Sequence, residues 1–88
     1  MSKVFREIES IPPICIPASS PQPENMAYVV AIGIEPWSDN KPLIKIRLKY
    51  NGKLNGRKVP SIPLGSKDWE QIVAAVNELK NKWEEKRV

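Results

Sequence analysis

The sequence predicts an α+β fold, in which a curved antiparallel β-sheet of three to four strands is followed by one long C-terminal amphipathic helix. Residues 43–50 alternate apolar and polar side chains with the period of two that is typical of strands, and residues 27–35 are rich in the β-branched side chains that strands favour. Asn-Gly dipeptides follow them and favour a tight reversal of the chain. The C-terminal segment instead repeats apolar residues every three or four positions, which is the pattern of a helix with one buried face.

The length of the chain, 88 residues, allows one domain at most. Residues 11–25 contain five prolines, which lack a backbone N–H and favour an extended chain outside any sheet. We therefore predict a Pro-rich, flexible N-terminal arm over residues 1–25 and a folded domain over residues 26–88. A strand within residues 1–10 stays open, because the pattern there is too short to separate a strand from a helical turn.

The first two predicted strands occupy residues 27–35 and 43–50, and the first of them is rich in β-branched side chains. The Pro, Ser, Asp and Asn content of residues 36–41 predicts a turn between them. Alternation in the second strand assigns one group of side chains to a core, namely Ile44, Ile46, Leu48 and Tyr50. It assigns Lys45, Arg47 and Lys49 to the opposite face, which suits water or phosphate.

A reversal and a third strand are predicted next. Asn51-Gly52 readily supplies the positive φ angles of a two-residue hairpin, and Asn55-Gly56 repeats that chemistry. Residues 57–64 are then predicted as a third strand. Pro60 and Pro63 cannot donate to a ladder, so this strand is expected at an edge or with an irregular course.

The C-terminal helix is predicted to begin after Ser66 as N-cap, with Asp68 and Glu70 in the first turn at the positive end of the helix dipole. Its apolar stripe is longer than a three-stranded sheet would cover, and part of it is therefore expected to meet a second copy of the chain. The predicted dimerisation residues are Trp69, Ile72, Val73, Val76, Leu79 and Trp83. The alternative is a stripe that serves the core of a single chain only.

The residue types present argue against catalysis. The chain has no His, its one cysteine is Cys15, and its carboxylates do not have the spacing of metal ligands, so we predict no enzyme activity, no catalytic residue, no metal and no cofactor. The single cysteine and the lack of a membrane-spanning apolar run favour a soluble intracellular protein of the cytoplasm, nucleoid or nucleus, without a membrane partner.

Positive charge is concentrated in residues 41–67, which contain eight Lys and Arg and no Asp or Glu, although the whole chain has a net charge of +4. Cations along a strand can neutralise several phosphates, and a nearby aromatic ring can stack on unpaired bases. Trp37 is the predicted stacking residue, unless it plugs the core. Tyr28 and Tyr50 share the apolar parity of their strands and are predicted as core residues. The alternative for the charged face is a solvated surface without a ligand.

Three segments resemble the positive cofactor four type of transcriptional coactivator, namely LIKIRLKY, NGRK and SIPLGSKDWEQI. The resemblance covers about residues 26–85. It implies a curved sheet with one helix, a homodimer formed through the helix, and single-stranded DNA bound on the sheet. The sequence departs from the family in that Asn55 replaces the turn proline, the stretch from residue 56 to residue 69 is two residues longer, and Pro60 and Pro63 interrupt the strand.

The resemblance also implies roles for individual residues. Arg47 matches the strand arginine, Tyr50 the aromatic residue after it, Trp37 the hairpin aromatic residue and Trp69 a packing tryptophan of the helix. The basic turn corresponds to Gly56, Arg57 and Lys58. Taken with the charge pattern, the predicted nucleic-acid-binding residues are Lys41, Lys45, Arg47, Lys49, Lys53, Arg57, Lys58, Trp37 and Tyr50.

The function expected from these features is the binding of single-stranded DNA, or RNA, largely without sequence specificity, in a transcription coactivator-like or genome-maintenance role alongside transcription or replication proteins. The alternative is a protein-interaction module that docks a partner through the helix stripe and the Pro-rich arm. A third hypothesis is duplex binding by an architectural protein.

Overall fold

The computed structural model describes residues 5–55 and 60–87, with the side chain of residue 87 left out. Within them lies a curled antiparallel sheet followed by one helix, as the sequence predicts. The elements are β1 (Arg6–Glu7), β2 (Ile14–Pro17), β3 (Met26–Ile34), β4 (Leu43–Tyr50), β5 (Lys53–Asn55) and α1 (Asp68–Arg87).

Strand β3 is the centre of the sheet. On one side it pairs with β4 along its length, from Met26 opposite Tyr50 to Gly33 opposite Leu43. On the other side it pairs with two short strands in succession, β2 along residues 27–30 and β1 along residues 33–34. Strand β5 adds to the outer side of β4. The sheet therefore has one to two strands more than the sequence predicts.

The N-terminal segment accounts for that difference. The predicted arm is wrong for residues 14–17, which form β2, and β1 lies within residues 1–10, where the sequence leaves a strand open. Strand β2 keeps the backbone N–H groups of Ile14, Cys15 and Ile16, and its Pro17 lies on the outer edge strand of the sheet, where a missing donor is tolerated. Ile11 and Ile16 are buried in the core. Apolar side chains between the prolines thus anchor a segment whose composition favours a free tether.

The hairpin prediction at Asn51-Gly52 is confirmed. Both residues have positive φ, 50° and 81°, and Tyr50 pairs directly with Lys53 across the turn. The predicted strand over residues 57–64 is wrong in the part that the structure describes, because residues 60–64 are not in a strand. Two prolines in that stretch remove ladder donors. Residues 56–59 of this prediction, and with them the second reversal at Gly56, lie outside the described part of the chain.

The turn predicted between β3 and β4 is also confirmed. Asp39 and Asn40 adopt positive φ angles of 55° and 63°, which the short polar side chains of Asp and Asn tolerate better than most. The turn is held by two backbone hydrogen bonds, from Ser38 to Glu35 and from Lys41 to Ser38. It places Trp37 at one end of the sheet.

Helix α1 begins one residue later than an N-cap at Ser66 predicts. The Lys67 carbonyl accepts a hydrogen bond from the Gln71 N–H, while the Ser66 hydroxyl accepts one from the Asp68 N–H at 3.3 Å. Ser66 therefore satisfies a free N–H of the first turn from just outside the helix. The helix packs on the sheet face that carries Tyr28, Val30 and Leu48.

The apolar stripe of α1 does not form one continuous exposed surface. Ile72 and Leu79 are buried against the sheet, Val76 and Trp83 are partly buried, and Trp69 is 55% exposed and Val73 is exposed. Because β2 widens the sheet beneath the helix, two of the six predicted dimerisation residues already lie in the core of the single chain.

A buried carboxylate joins the N-terminal segment, the sheet and the helix. Asp68 is 2% exposed and accepts hydrogen bonds from the Ser19 N–H at 2.9 Å, the Ser19 hydroxyl at 2.6 Å and the Tyr28 hydroxyl at 2.9 Å. Burial acts to raise the pKa of Asp68, but these donors outweigh it and hold the pKa below the ordinary carboxyl value. Three distant parts of the chain therefore converge on one charge.

Tyr28 should make the protein less stable at alkaline pH. Burial, with the hydrogen bond to Asp68 and its charge, raises the pKa of the Tyr28 phenol to about 12. Since the folded state holds this proton more tightly than the unfolded state, the stabilisation is complete below about pH 10 and is lost as the pH rises towards 12. Urea unfolding between pH 8 and about pH 11 should show this decline in the wild type, and Tyr28→Phe should remove it. An equal decline in both proteins would contradict the assignment.

Candidate nucleic-acid interface

The face of the sheet opposite α1 carries three cations in a row, and we call it the basic face. Lys45, Arg47 and Lys49 pair in register with Ala31, Val29 and Ala27 of β3. The buried side chains under α1 have the other parity in the same strands. The division of β4 into two faces is therefore confirmed, and the helix does not cover the three cations. The core prediction is wrong for Ile44, which is 37% exposed because it lies next to the end of the strand.

Two of these cations already have carboxylate partners. Lys45 Nζ lies 2.7 Å from Glu35 Oε2, and Arg47 forms an ion pair with Glu7 of β1. The Arg47 side chain is only 13% exposed. Among the described residues, Lys49 forms no ion pair. A phosphate on this face would meet Lys49 directly but would compete with carboxylates for Lys45 and Arg47.

An aromatic ring from the N-terminal segment lies on the basic face. The Phe5 ring is flanked by Lys45 Nζ at 5.2 Å and by Arg47 Cζ at 5.0 Å from its centroid. The position of the ring depends on Gly33, because a Cβ at residue 33 would overlap the Arg6 carbonyl oxygen and lie 2.6 Å from Phe5 Cζ. Both cations gain cation–π attraction in addition to their ion pairs.

The predicted site residues beside the hairpin, Tyr50 and Lys53, do not share the basic face with Arg47. Tyr50 pairs with Lys53 and belongs to the parity of the helix face, and the ladder between β3 and β4 runs without a bulge. Tyr50 and Arg47 therefore point to opposite faces, and one ligand on the basic face would not reach both. The core prediction holds for Tyr28, which is buried, and is wrong for Tyr50, which is 46% exposed because it precedes the turn at the end of the sheet.

The remaining predicted contacts lie in turns. Trp37 is 73% exposed, so it does not plug the core and its ring is free to stack. Lys41 is exposed at the end of the same turn. Arg57 and Lys58 fall outside the described residues. The structure thus brings together Lys45, Arg47 and Lys49, with Trp37 and Lys41 in the turn that connects β3 and β4.

Three neighbours of the basic face were not predicted from the sequence, namely Phe5, Glu7 and Glu35. Glu35 extends the odd parity of β3, which would have indicated that it shares a face with Lys45. Phe5 and Glu7 also share a parity, but nothing in the local sequence indicates that β1 pairs with the far end of β3. Contacts between residues forty positions apart, such as Glu7 with Arg47, depend on the tertiary fold.

Comparison of the chain with protein-family models, with curated proteins and with solved structures gives no significant match in any of the three. In the described part of the chain, the helix lacks the combination of length and apolar character that a membrane span needs. Among the same residues, His, Cys, Asp and Glu do not gather in groups of three that could hold a metal ion.

Proposed function

We propose that the protein binds single-stranded nucleic acid, DNA in the first instance, on the basic face of its sheet without catalysing a reaction on it. The observation that carries the proposal is the row formed by Lys45, Arg47 and Lys49, which strand alternation directs away from α1. A row of cations on neighbouring positions of one strand can follow a phosphate backbone irrespective of base sequence.

The contacts have distinct roles in this proposal. Lys49 offers a phosphate contact without prior rearrangement, since it has no ion pair among the described residues. Lys45 and Arg47 exchange their carboxylates for phosphates when the strand binds. Trp37, exposed at the end of the sheet, stacks on an unpaired base, a contact that contributes about 1–3 kcal/mol and discriminates little between bases.

A second copy of the chain is part of the proposal. Trp69 and Val73 expose apolar surface on one flank of α1, beside the partly buried Val76 and Trp83. Burial of this flank between two copies would place two basic faces in one particle and increase the avidity for a long strand. We place the protein inside the cell, in a coactivator-like or genome-maintenance role with transcription or replication proteins.

The proposal is tested by titrating a fluorescent oligothymidylate of about thirty nucleotides with the protein at rising salt. We expect binding at 50 mM salt, with a logarithmic salt slope of about −2 if three phosphates are neutralised on each chain. Light scattering of the complex gives the number of chains per strand. Absence of binding at low salt, or an affinity that does not change with salt, would refute the proposal.

One observation favours the alternative of a protein-interaction module. Leu64 and Trp69, which lie just before and at the start of α1, are both largely exposed. Under this alternative, Trp69→Ala should abolish partner binding, whereas Arg47→Glu with Lys49→Glu should leave it largely intact. A duplex competitor of the same length distinguishes the architectural hypothesis, because only unpaired bases can stack on Trp37.

A further inference from the structure

The segment formed by residues 5–7, which we call the strap, presents the two chemical groups of a nucleotide to the basic face. Phe5 supplies a planar ring between Lys45 and Arg47, with its centroid about 5 Å from each cationic group. Glu7 supplies an anion that pairs with Arg47. A base and its phosphate would require the same cations. The strap and a nucleotide therefore cannot both occupy this part of the face.

The strap is weakly anchored. Its strand, β1, is an edge strand of only two residues, and both pair with the last two residues of β3. The next backbone hydrogen bond, from the Ile8 N–H to the Ile32 carbonyl, is the first that lies outside the strap. Arg6 and Glu7 are exposed, so among the side chains of the strap itself only Phe5 contributes a partly buried apolar group. Short edge segments of this kind open locally at a small fraction of the free energy of global unfolding.

Arg47 also retains unused capacity to bind an anion. Its Nε is buried and has no hydrogen-bond partner in the part of the chain that the structure describes, although the guanidinium contacts Glu7 through NH2. A guanidinium binds an oxyanion best through two parallel N–H groups, which the present contact with Glu7 does not use. A phosphate in place of Glu7 has enough acceptor oxygens to bind Nε as well as NH2.

We propose that the strap occupies a nucleotide-binding subsite made by Gly33, Lys45 and Arg47, and that it inhibits nucleic-acid binding until it is displaced. This inference rests on the proposed function, and it specifies what the subsite binds, an aromatic base with its 5′ or 3′ phosphate. The apparent affinity for a strand is then reduced by the fraction of molecules in which the strap is closed.

The decisive experiment locks the strap in place with a disulfide. Arg6 lies directly opposite Ile34, and such partners in an antiparallel ladder have Cα atoms about 4.5–5.5 Å apart, within the range that a disulfide spans. The variant carries Arg6→Cys and Ile34→Cys, with Cys15→Ser to remove the free thiol. Oligothymidylate titrations compare its oxidised and reduced forms, which differ only in the cross-link.

We expect the oxidised form to bind at least about tenfold more weakly than the reduced form, because the apparent affinity is proportional to the fraction of molecules with an open strap and the cross-link lowers that fraction by at least this factor. Equal affinity of the two forms would refute inhibition by the strap and would leave the proposed function unaffected. Absence of binding in the reduced form and in the wild type refutes the proposed function, and the strap with it.

A second comparison uses a matched pair of carboxylates. Glu7→Gln removes the anion that occupies Arg47, whereas Glu9→Gln removes an exposed carboxylate that has no ion pair among the described residues. Both changes raise the net charge by one. Glu7→Gln should tighten oligonucleotide binding about threefold more than Glu9→Gln, because it weakens strap closure as well. Equal effects of the two variants would contradict competition at Arg47.

Discussion

Replacing Asp68 with asparagine should lower the free energy of unfolding by about 3 kcal/mol, because a hydrogen bond to a buried charge contributes about 1.5–3 kcal/mol and several of them are lost together. Asp68 accepts from two donors on Ser19 and from the Tyr28 hydroxyl. An amide keeps one acceptor oxygen but turns its NH2 group towards a donor. The destabilisation is measured by urea unfolding at neutral pH.

Asp39→Asn is the matched control, since Asp39 is exposed in the turn before β4 and asparagine tolerates its positive φ. This variant should unfold within about 0.5 kcal/mol of the wild type, the range usual for surface substitutions. A comparable loss in both variants would show that the removal of any carboxylate has the same effect, and would exclude a special role for the buried one.

The effect of Asp68→Asn should also depend on pH. The pKa of Asp68 is lower in the folded state, so its carboxylate stabilises the fold fully above the unfolded pKa of about 4. That contribution is lost as the pH falls through the folded pKa. The stability difference between wild type and variant should therefore shrink below about pH 4. A difference that stays constant down to the acid transition would contradict this role of the charge.

Removal of the three cations of the basic face should weaken binding of oligothymidylate by about 100-fold at 50 mM salt, and reduce the salt slope by about 2, if each of them neutralises one phosphate of a single strand. The variant is Lys45→Gln, Arg47→Gln and Lys49→Gln. Glutamine keeps side-chain polarity and β4 can still form, so the loss reports on charge. The measurement is the fluorescence titration at several salt concentrations.

The control for this variant removes three cations from the helix, Lys80, Lys82 and Lys86, and so produces the same net charge. Lys82 is ion-paired with Glu78, which imitates the paired state of Lys45 and Arg47. We expect the helix variant to bind within about threefold of the wild type, since distant exposed charges are screened. Equal weakening by the two variants would mean that overall charge, rather than the basic face, attracts the strand.

Local patterns in the sequence predicted the strands, turn and hairpin that depend on neighbouring residues. Alternation placed the cations of β4 on one face, and Asn51-Gly52 determined its reversal, because side-chain direction and positive φ are properties of the strand and turn themselves. The predictions that failed concern long-range pairing. Composition favoured a free arm for residues 14–17, and only the exposed edge of β3 and the core position of Ile16 make a strand there favourable.

By itself, the sequence determined a basic strand face, a helix with an apolar stripe and the order of these elements along the chain, since each follows from the periodicity of a single segment. The tertiary structure alone decided which cations already have partners. Phe5 and Glu7 reach Lys45 and Arg47 because β1 pairs with the end of β3, a contact whose energy is shared between segments far apart in the chain. No local pattern encodes that pairing, and it determines whether the basic face is open or occupied.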